Sequence, residues 1–367
     1  MHLSRPLLPE TNNRTHRMGD FIQLHLLTAY GPSNLNRDDT GRPKSVVFGG
    51  APRLRISSQS LKRAWRTSDV FATRLRDHLA SRTQRLGKGV FAHLIEGGMV
   101  EAEALKATRQ IAGPFGKLKS EKDSEPTFIE QLAFISPEEQ QKAFGLANRV
   151  LSGETIPDPR PEDLLQRTDR AADIAMFGRM LADSPKFNRE AAVQVAHAIT
   201  THRAIAEDDY YTAIDDLKSR YDPEDAGAGF IGVQEFGSGV FYLYVCVDRG
   251  LLSRNLGGDH AIRNASLSAL IEAAATISPS GKQNTFASRA RAFYVLAEKG
   301  TAQPRSLAAA FLKPVRGSDY GKNSIDALEA YRDRLDAAYG DCADGRYTMH
   351  VDRGEGNLSG LLEFAVS

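Results

Sequence analysis

The sequence predicts an α+β fold with a ferredoxin-like core of the RNA-recognition type, interrupted by a helical insertion and by a projection. Three observations predict it. Strand-length apolar runs and helix-like segments follow one another as strand, helix, strand, strand, helix, strand. Residues 70–170 are charged, helix-favouring and broken by Gly and Pro, with loops at 116–126 and 152–162. Residues 202–238 are polar and then Gly-rich, the composition of a projecting segment.

Phe21–Leu27 (FIQLHLL) reads as a largely buried strand, and Gly31, Pro32 and Ser33 turn the chain after it. A basic loop follows, broken by Gly49, Gly50 and Pro52. Ser57 or Ser58 is the expected N-cap of the next helix, because a short hydroxyl side chain accepts from the free amides of a first turn. After the insertion, strand character is expected at Asp173–Met180 (DIAMFGRM) and at Ala191–Thr201 (AAVQVAHAITT). The segment AEDDYYTAIDDL and the Gly-rich 226–239 then lead into a strand at Val240–Val247 (VFYLYVCV). Ala261–Thr276 and Ser324–Tyr339 read as helices, with a strand at Ala292–Ala297 between them.

Bulk properties narrow the class. With 41% hydrophobic and 25% charged residues, the 367-residue chain has the composition of a soluble globular protein. Its apolar runs are too short to span a bilayer, and no secretory signal pattern is present, so a cytoplasmic address with no membrane partner is expected. Cys246 and Cys342 form neither a disulfide framework nor a zinc site. Residues 1–17 are polar and aperiodic and are expected to be an extension outside the fold, disordered or non-native.

Charge is concentrated rather than spread. The chain carries 47 basic and 46 acidic residues, a net +1, yet Arg42, Lys44, Arg53, Arg55, Lys62, Arg63 and Arg66 lie between Asp39 and Asp69 with no carboxylate among them. On the expected helix, Gln59, Lys62 and Arg66 fall on one face, and Leu61, Ala64, Trp65 and Ser68 on the other. One side would dock through Trp65 while the other offers cations to phosphates. Ser57 and the free amides beside it would hold a phosphate at the helix start. Arg53 and Arg55 alternate with Leu54 and Ile56 and are expected to point to one side, tracking a phosphodiester backbone without reading bases. A merely solvated basic face is the simpler alternative.

Tyr210 and Tyr211, in the polar run Asp208-Asp209-Tyr210-Tyr211-Thr212, could stack on bases or serve as core. His197 and His202 lack a third ligand nearby and read as structural. Asp38 and Asp39 could bind Mg²⁺ in a nuclease or simply orient a turn, and no hydrolytic triad stands out.

These segments together resemble a known family. FIQLHLL with PSNLNRDD, VFGG before RLRISSQSLKRAWR, then DIAMFGRM, VAHAITTH, DDYYTAIDDL and GVQEFGSGVFY resemble the CasC-type backbone subunit of Cascade, the type I-E CRISPR surveillance complex. The resemblance covers most of residues 20–245.

It implies a right-hand-like protein: a palm with a modified RNA-recognition fold (18–69, 171–201 and 239–367), helical fingers (70–170) and a protruding thumb (202–238). It implies several copies in a helical filament along a guide RNA (crRNA), each thumb displacing a base at regular intervals. The other bases stay ordered for pairing with target DNA, so base pairing rather than protein reads the sequence. Arg37, Lys44, Ser57, Gln59, Lys62 and Arg66, with Arg53, Arg55 and Arg63 of the same stretch, are the expected guide contacts. Met180 would press on bases near the kink, and Tyr210, Tyr211 and Thr212 would sit at the displaced nucleotide.

The resemblance implies no catalysis, cofactor or metal. Partners would be neighbouring copies and the large, small, crRNA-end-capping and endoribonuclease subunits. Thumb acidity at Glu207, Asp208, Asp209, Asp215 and Asp216 could complement a basic neighbour. The rival is a metal-dependent, target-RNA-cleaving backbone subunit as in type III complexes, using Asp38 or Asp39. A generic single-strand RNA binder is a third reading.

Overall fold

The computed structural model describes residues 20–168, 170–213 and 230–367. The expected extension over 1–17, the carboxylates Asp215 and Asp216, and residues 226–229 of the Gly-rich stretch lie outside the described residues.

The chain is an α+β protein built on an antiparallel sheet. Its central strands are β1 (Phe21–Ser33), β6 (Val193–Val195) with β7 (Ala198–Thr200), β9 (Phe230–Asp248) and β10 (Ala292–Gly300). Their order across the sheet is β10, β1, β9, then β6 and β7, all antiparallel, which is the ferredoxin-like arrangement of the four expected strands. The sheet continues past β7 to β3 (Ala51–Ile56) and β2 (Ser45–Phe48), and past β10 to β11 (Gly345–His350).

Apolar side chains on both faces of β1 explain its burial. Ile22, Leu24 and Leu26 join one core with Trp65 of α1 (Ser58–Arg66), Phe71 of α2 (Asp69–Leu75) and Leu270 of the helix His260–Thr276. Leu27, of opposite parity, joins Tyr242, Phe311 and Leu328 of the helix Tyr320–Tyr339. Gln23 and His25 share that second face and are buried. His25 Nδ1 meets Tyr242 Oη at 2.9 Å and its Nε2 meets Glu298 at 3.2 Å, while Arg305 and Arg346 also pair with Glu298. Burial alone would raise the Glu298 carboxyl; hydrogen bonds from His25 and Arg305 hold it far below its ordinary value.

Two expectations need correction. Residues 45–56 form a β-hairpin, not a loop: Gly49 and Gly50, at φ +60° and +73°, make its two-residue turn. A Cβ on Gly49 would fall 1.6 Å from the Leu312 carbonyl oxygen, so only glycine fits there. DIAMFGRM is not a strand; Ala172–Phe177 is a short helix, stopped by Gly178 at φ +80°. Ala172 to Met176 are all buried, so the run carries no periodicity by which a strand could be told from a helix.

The insertion has its own core, formed by α3 (Leu86–Glu96), α4 (Glu101–Ala112) and α5 (Pro137–Leu151), with Leu181 and Phe187 from the returning chain. One buried ion pair ties it down. Arg179 Nη1 lies 2.6 Å from Glu139 Oε2, and the guanidinium also donates to the Phe134, Gln166 and Phe187 carbonyls. Glu139 simultaneously closes the capping box of α5 with Ser136. Removing one partner of such a pair leaves a buried charge uncompensated. Glu139→Ala is therefore expected to cost about 3–5 kcal/mol, read as a lowered Tm; an unchanged Tm would show that the pair does not anchor the insertion.

Candidate nucleic-acid interface

Helix α1 forms as its sequence dictates. The Ser57 hydroxyl caps it by accepting from the Ser60 amide at 3.3 Å, and Leu61 and Trp65 are buried beneath it. Gln59 and Arg63 stand exposed, with Lys62 half-buried between them. Lys62 and Arg63 have no acidic partner among the described residues, and burial pushes the Lys62 ammonium below its ordinary value. An unpaired, partly desolvated cation is stabilised by an incoming anion.

The loop before β2 reaches the start of this helix. Asn36 Oδ1 accepts from the Ser57 amide at 2.9 Å, and Lys44 exchanges backbone hydrogen bonds with Asn36 and Arg55. Arg37 is exposed beside Ser60, in an open hollow of about 460 Å³ bounded by Asn36, Asp38 and Gly281. The exposed His197 meets the Arg55 guanidinium at 2.6 Å. Burial first, then Arg55, Lys44 and Lys62, depress its imidazole below the ordinary range. Lys44, Arg55 and Lys62 thus all act on the His197 imidazole.

Two expected contacts, Arg53 and Arg66, are engaged within the fold. Arg53 does not face outward with Arg55; it is wholly buried, donating to the Thr200 carbonyl at 3.0 Å and the Phe311 carbonyl at 2.8 Å. Those carbonyls replace the phosphate the alternation suggested. The Ser57 hydroxyl accepts the capping hydrogen bond from the Ser60 amide, which leaves its O–H able to donate to a ligand. Arg66 lies 3.6 Å from the buried Asp173, with its guanidinium 5.2 Å from the centre of the Phe134 ring.

Met180 and the tyrosines stand apart from α1 in the fold. Arg179 is drawn inward by Glu139, which turns its neighbour Met180 outward to 80% exposure. Tyr210, Tyr211 and Thr212 belong to β8 (Glu207–Ala213), an exposed strand paired with the first part of β9. Tyr210 and Thr212 lie opposite Val233 and Ile231, giving one exposed apolar face, while Tyr211 lies opposite Gly232.

Sequence reasoning missed the links that fix this hairpin to the basic loop. Asn34 Nδ2 donates to the Gly41 and Glu235 carbonyls, Arg42 pairs with Glu235, and Lys282 meets Gln234 at 2.7 Å. No local motif marks such long-range pairs. Asp38, a candidate metal ligand, accepts from the Thr40 amide and hydroxyl and from the Arg42 amide. No cluster of metal-ligating residues occurs among the described residues.

Asp173 gives a pH test of the Arg66 site. Burial raises its carboxyl to about 6, against the Ala80 amide and Arg66. The folded chain thus holds this proton more tightly than the unfolded one, so the group's contribution to stability is greatest below pH 4 and is lost as pH rises through 6. The stability of the wild type relative to Asp173→Asn is expected to fall by about 2 kcal/mol between pH 4 and 6.5. A pH-independent difference would contradict the assignment.

The chain matches a chain of a solved structure described as "CRISPR RNA-guided surveillance complex, pre-nicking" with a TM-score of 0.82 and 29% identity, covering 94% of this chain and 99% of that one. A second, described as "CRISPR RNA-guided surveillance complex", matches with a TM-score of 0.72 and 27% identity over the same shares. A search of curated proteins returns no match. The family model described as "CT1975-like protein" matches residues 22–361, and with nearly the whole fold accounted for, the chain belongs to that family.

Proposed function

We propose that this protein is a guide-RNA-holding backbone subunit of a Cascade-type surveillance complex, of type I-E. Several copies lie along the guide, neighbouring one another and the other subunits, and present its bases for pairing with target DNA. The observation that carries this reading is the outer face of α1, where Gln59, Lys62 and Arg63 meet no carboxylate among the described residues, on a chain that matches surveillance-complex chains along nearly its whole length. Arg37, Lys44 and Arg55 flank that face.

Each side chain has a distinct task in this account. Lys62 and Arg63 neutralise guide phosphates, and Arg37 extends the track at the helix start. Arg53 and Arg66 brace the surface: Arg53 clamps the β2–β3 hairpin to Thr200 and Phe311, and Arg66 is held by Asp173 and Phe134. The exposed Met180 presses on bases, and the β8 face carrying Tyr210 and Thr212, with Tyr211 beside it, meets a displaced nucleotide. The protein holds and does not cut. The use of Asp38 by its own loop amides supports that role, since those bonds compete with a metal for its carboxylate.

The test uses the assembled complex. Lys62→Ala with Arg63→Ala is expected to weaken assembly on guide RNA at least tenfold and to flatten its log–log salt dependence by about 1.4. Assembly unchanged at every salt concentration would overturn the phosphate track. Incubation with complementary RNA and Mg²⁺ is expected to leave that RNA intact; regularly spaced cuts abolished by Asp38→Ala would overturn the holding role.

A further inference from the structure

A histidine outside the proposed guide contacts closes the neck of the projecting hairpin. The chain leaves the sheet after β7 and returns along β9, with His202 on the outgoing leg and Val240 on the returning one. The Val240 amide donates to His202 Nε2 at 3.2 Å, and His202 Nδ1 meets the Arg203 carbonyl at 2.9 Å. A carbonyl only accepts, so Nδ1 carries the proton and Nε2 is a bare acceptor, which an imidazolium cannot be. The Thr201 amide takes the Val240 carbonyl at 2.9 Å, and the Val240 backbone is thus held through both its N–H and its C=O. The ring is also wedged. Tyr320, first residue of the helix Tyr320–Tyr339, stacks on it with centroids 4.1 Å apart, and a Cβ on Gly239 would fall 2.8 Å from Nε2.

This is the point where the sheet ends and the hairpin begins. Val240, Phe241 and Tyr242 pair with β1 and β7, whereas Phe230–Phe236 pair with β8. Gly237, Ser238 and Gly239 lie between, where the register with β1 shifts. Asn34, Arg42 and Lys282 hold the β9 leg at Gln234 and Glu235. The leg that leads to Tyr210 and Tyr211 is held instead by His202 and by the Ala204 amide, which donates to the Pro52 carbonyl at 3.1 Å. Among the described residues, the charged or titratable groups facing the imidazole are Arg53, from β3, and the Tyr320 phenol; Thr200, Gly239, Val240 and Val315 add none. Burial first, and Arg53 with it, hold the imidazole below its ordinary range against the Arg203 carbonyl.

We propose that His202 is a positioning residue: by joining the outgoing leg to Val240, its neutral imidazole fixes the angle at which the tyrosine strand leaves the sheet. It thereby fixes where Tyr210 and Tyr211 meet the guide. That second step rests on the proposed role of β8 at a displaced nucleotide; the first does not.

The experiment uses the full-length chain with spin labels on Ala213→Cys, at the end of β8, and Ala330→Cys, on the helix Tyr320–Tyr339; both positions are exposed, and the native Cys246 and Cys342 are buried. His202→Phe keeps a ring against Tyr320 without an acceptor, and His202→Gln supplies an amide oxygen that does not titrate. At pH 7.5 the wild type and the Gln variant are expected to give one narrow label-to-label distance distribution, and the Phe variant one about twofold broader. A released ring takes up a proton near pH 6.5, so release of the wild-type hairpin is favoured up to about tenfold for each pH unit below that value. Lowering the pH to 5.0 should therefore broaden the wild type and leave the Gln variant narrow. A wild-type distribution that is the same at both pH values overturns the proposal, even if the Phe variant fails to fold. A Gln variant as broad as Phe overturns the role of the Val240 hydrogen bond. In the assembled complex, 2-aminopurine along the guide is expected to brighten at regular intervals in the wild type, with that contrast lowered about threefold in the Phe variant. No interval in the wild type overturns the role of β8 and not the latch; an interval with undiminished contrast in the Phe variant overturns the step from His202 to the guide.

Discussion

The structure depends on one strand serving two surfaces. β9 runs for 19 residues, pairing with β1 from Asp248 back to Gly237 and with β8 from Phe236 to Phe230. Because β1 is buried on both faces, its partner cannot shift without disrupting two cores at once, and a slip of one residue would carry Val245 and Val247 from their own core to the opposite face. The projecting hairpin is therefore continuous with the sheet rather than tethered to it. Asn34, Arg42 and Lys282 brace it at its base, and Asn34 and Arg42 belong to the same loop that brings Arg37 to α1. The tyrosine strand and the cationic helix are thus held in one frame.

Within that frame, cations have divided duties. Arg53, Arg179 and Arg305 are consumed by carbonyls and carboxylates of the fold, where they brace a hairpin, an insertion and a buried network. Lys62, Arg63, Arg82, Arg85 and Lys88 are left without carboxylate partners among the described residues. A net charge of +1 is compatible with local binding of a polyanion because what matters is which cations are unpaired and where they stand.

The legible parts of the sequence were those governed by local rules. Ser57 as a cap, Leu61 and Trp65 as the buried side of α1, and the apolar run of β1 follow from side-chain periodicity and hydrogen-bonding chemistry. Arg53 was misread because alternation fixes the side of a strand but not what covers that side; Phe311, 258 residues on, supplies the carbonyl that takes its charge. The helix at Ala172–Phe177 was hidden by the burial of Ala172 through Met176, which removes the polar contrast that periodicity needs. The aromatic–cation grouping of Arg82, Phe134 and Arg66 arises from strand pairing across fifty residues and has no signature in the linear chain.

The central claim is that the unpaired face of α1 holds a guide RNA in a repeating assembly. The most direct measurement is to purify the chain from cells expressing a CRISPR array and sequence the RNA that comes with it. The account predicts array-derived guide RNAs of one defined length in a complex of fixed size. Heterogeneous cellular RNA on single copies, or no RNA, would contradict it.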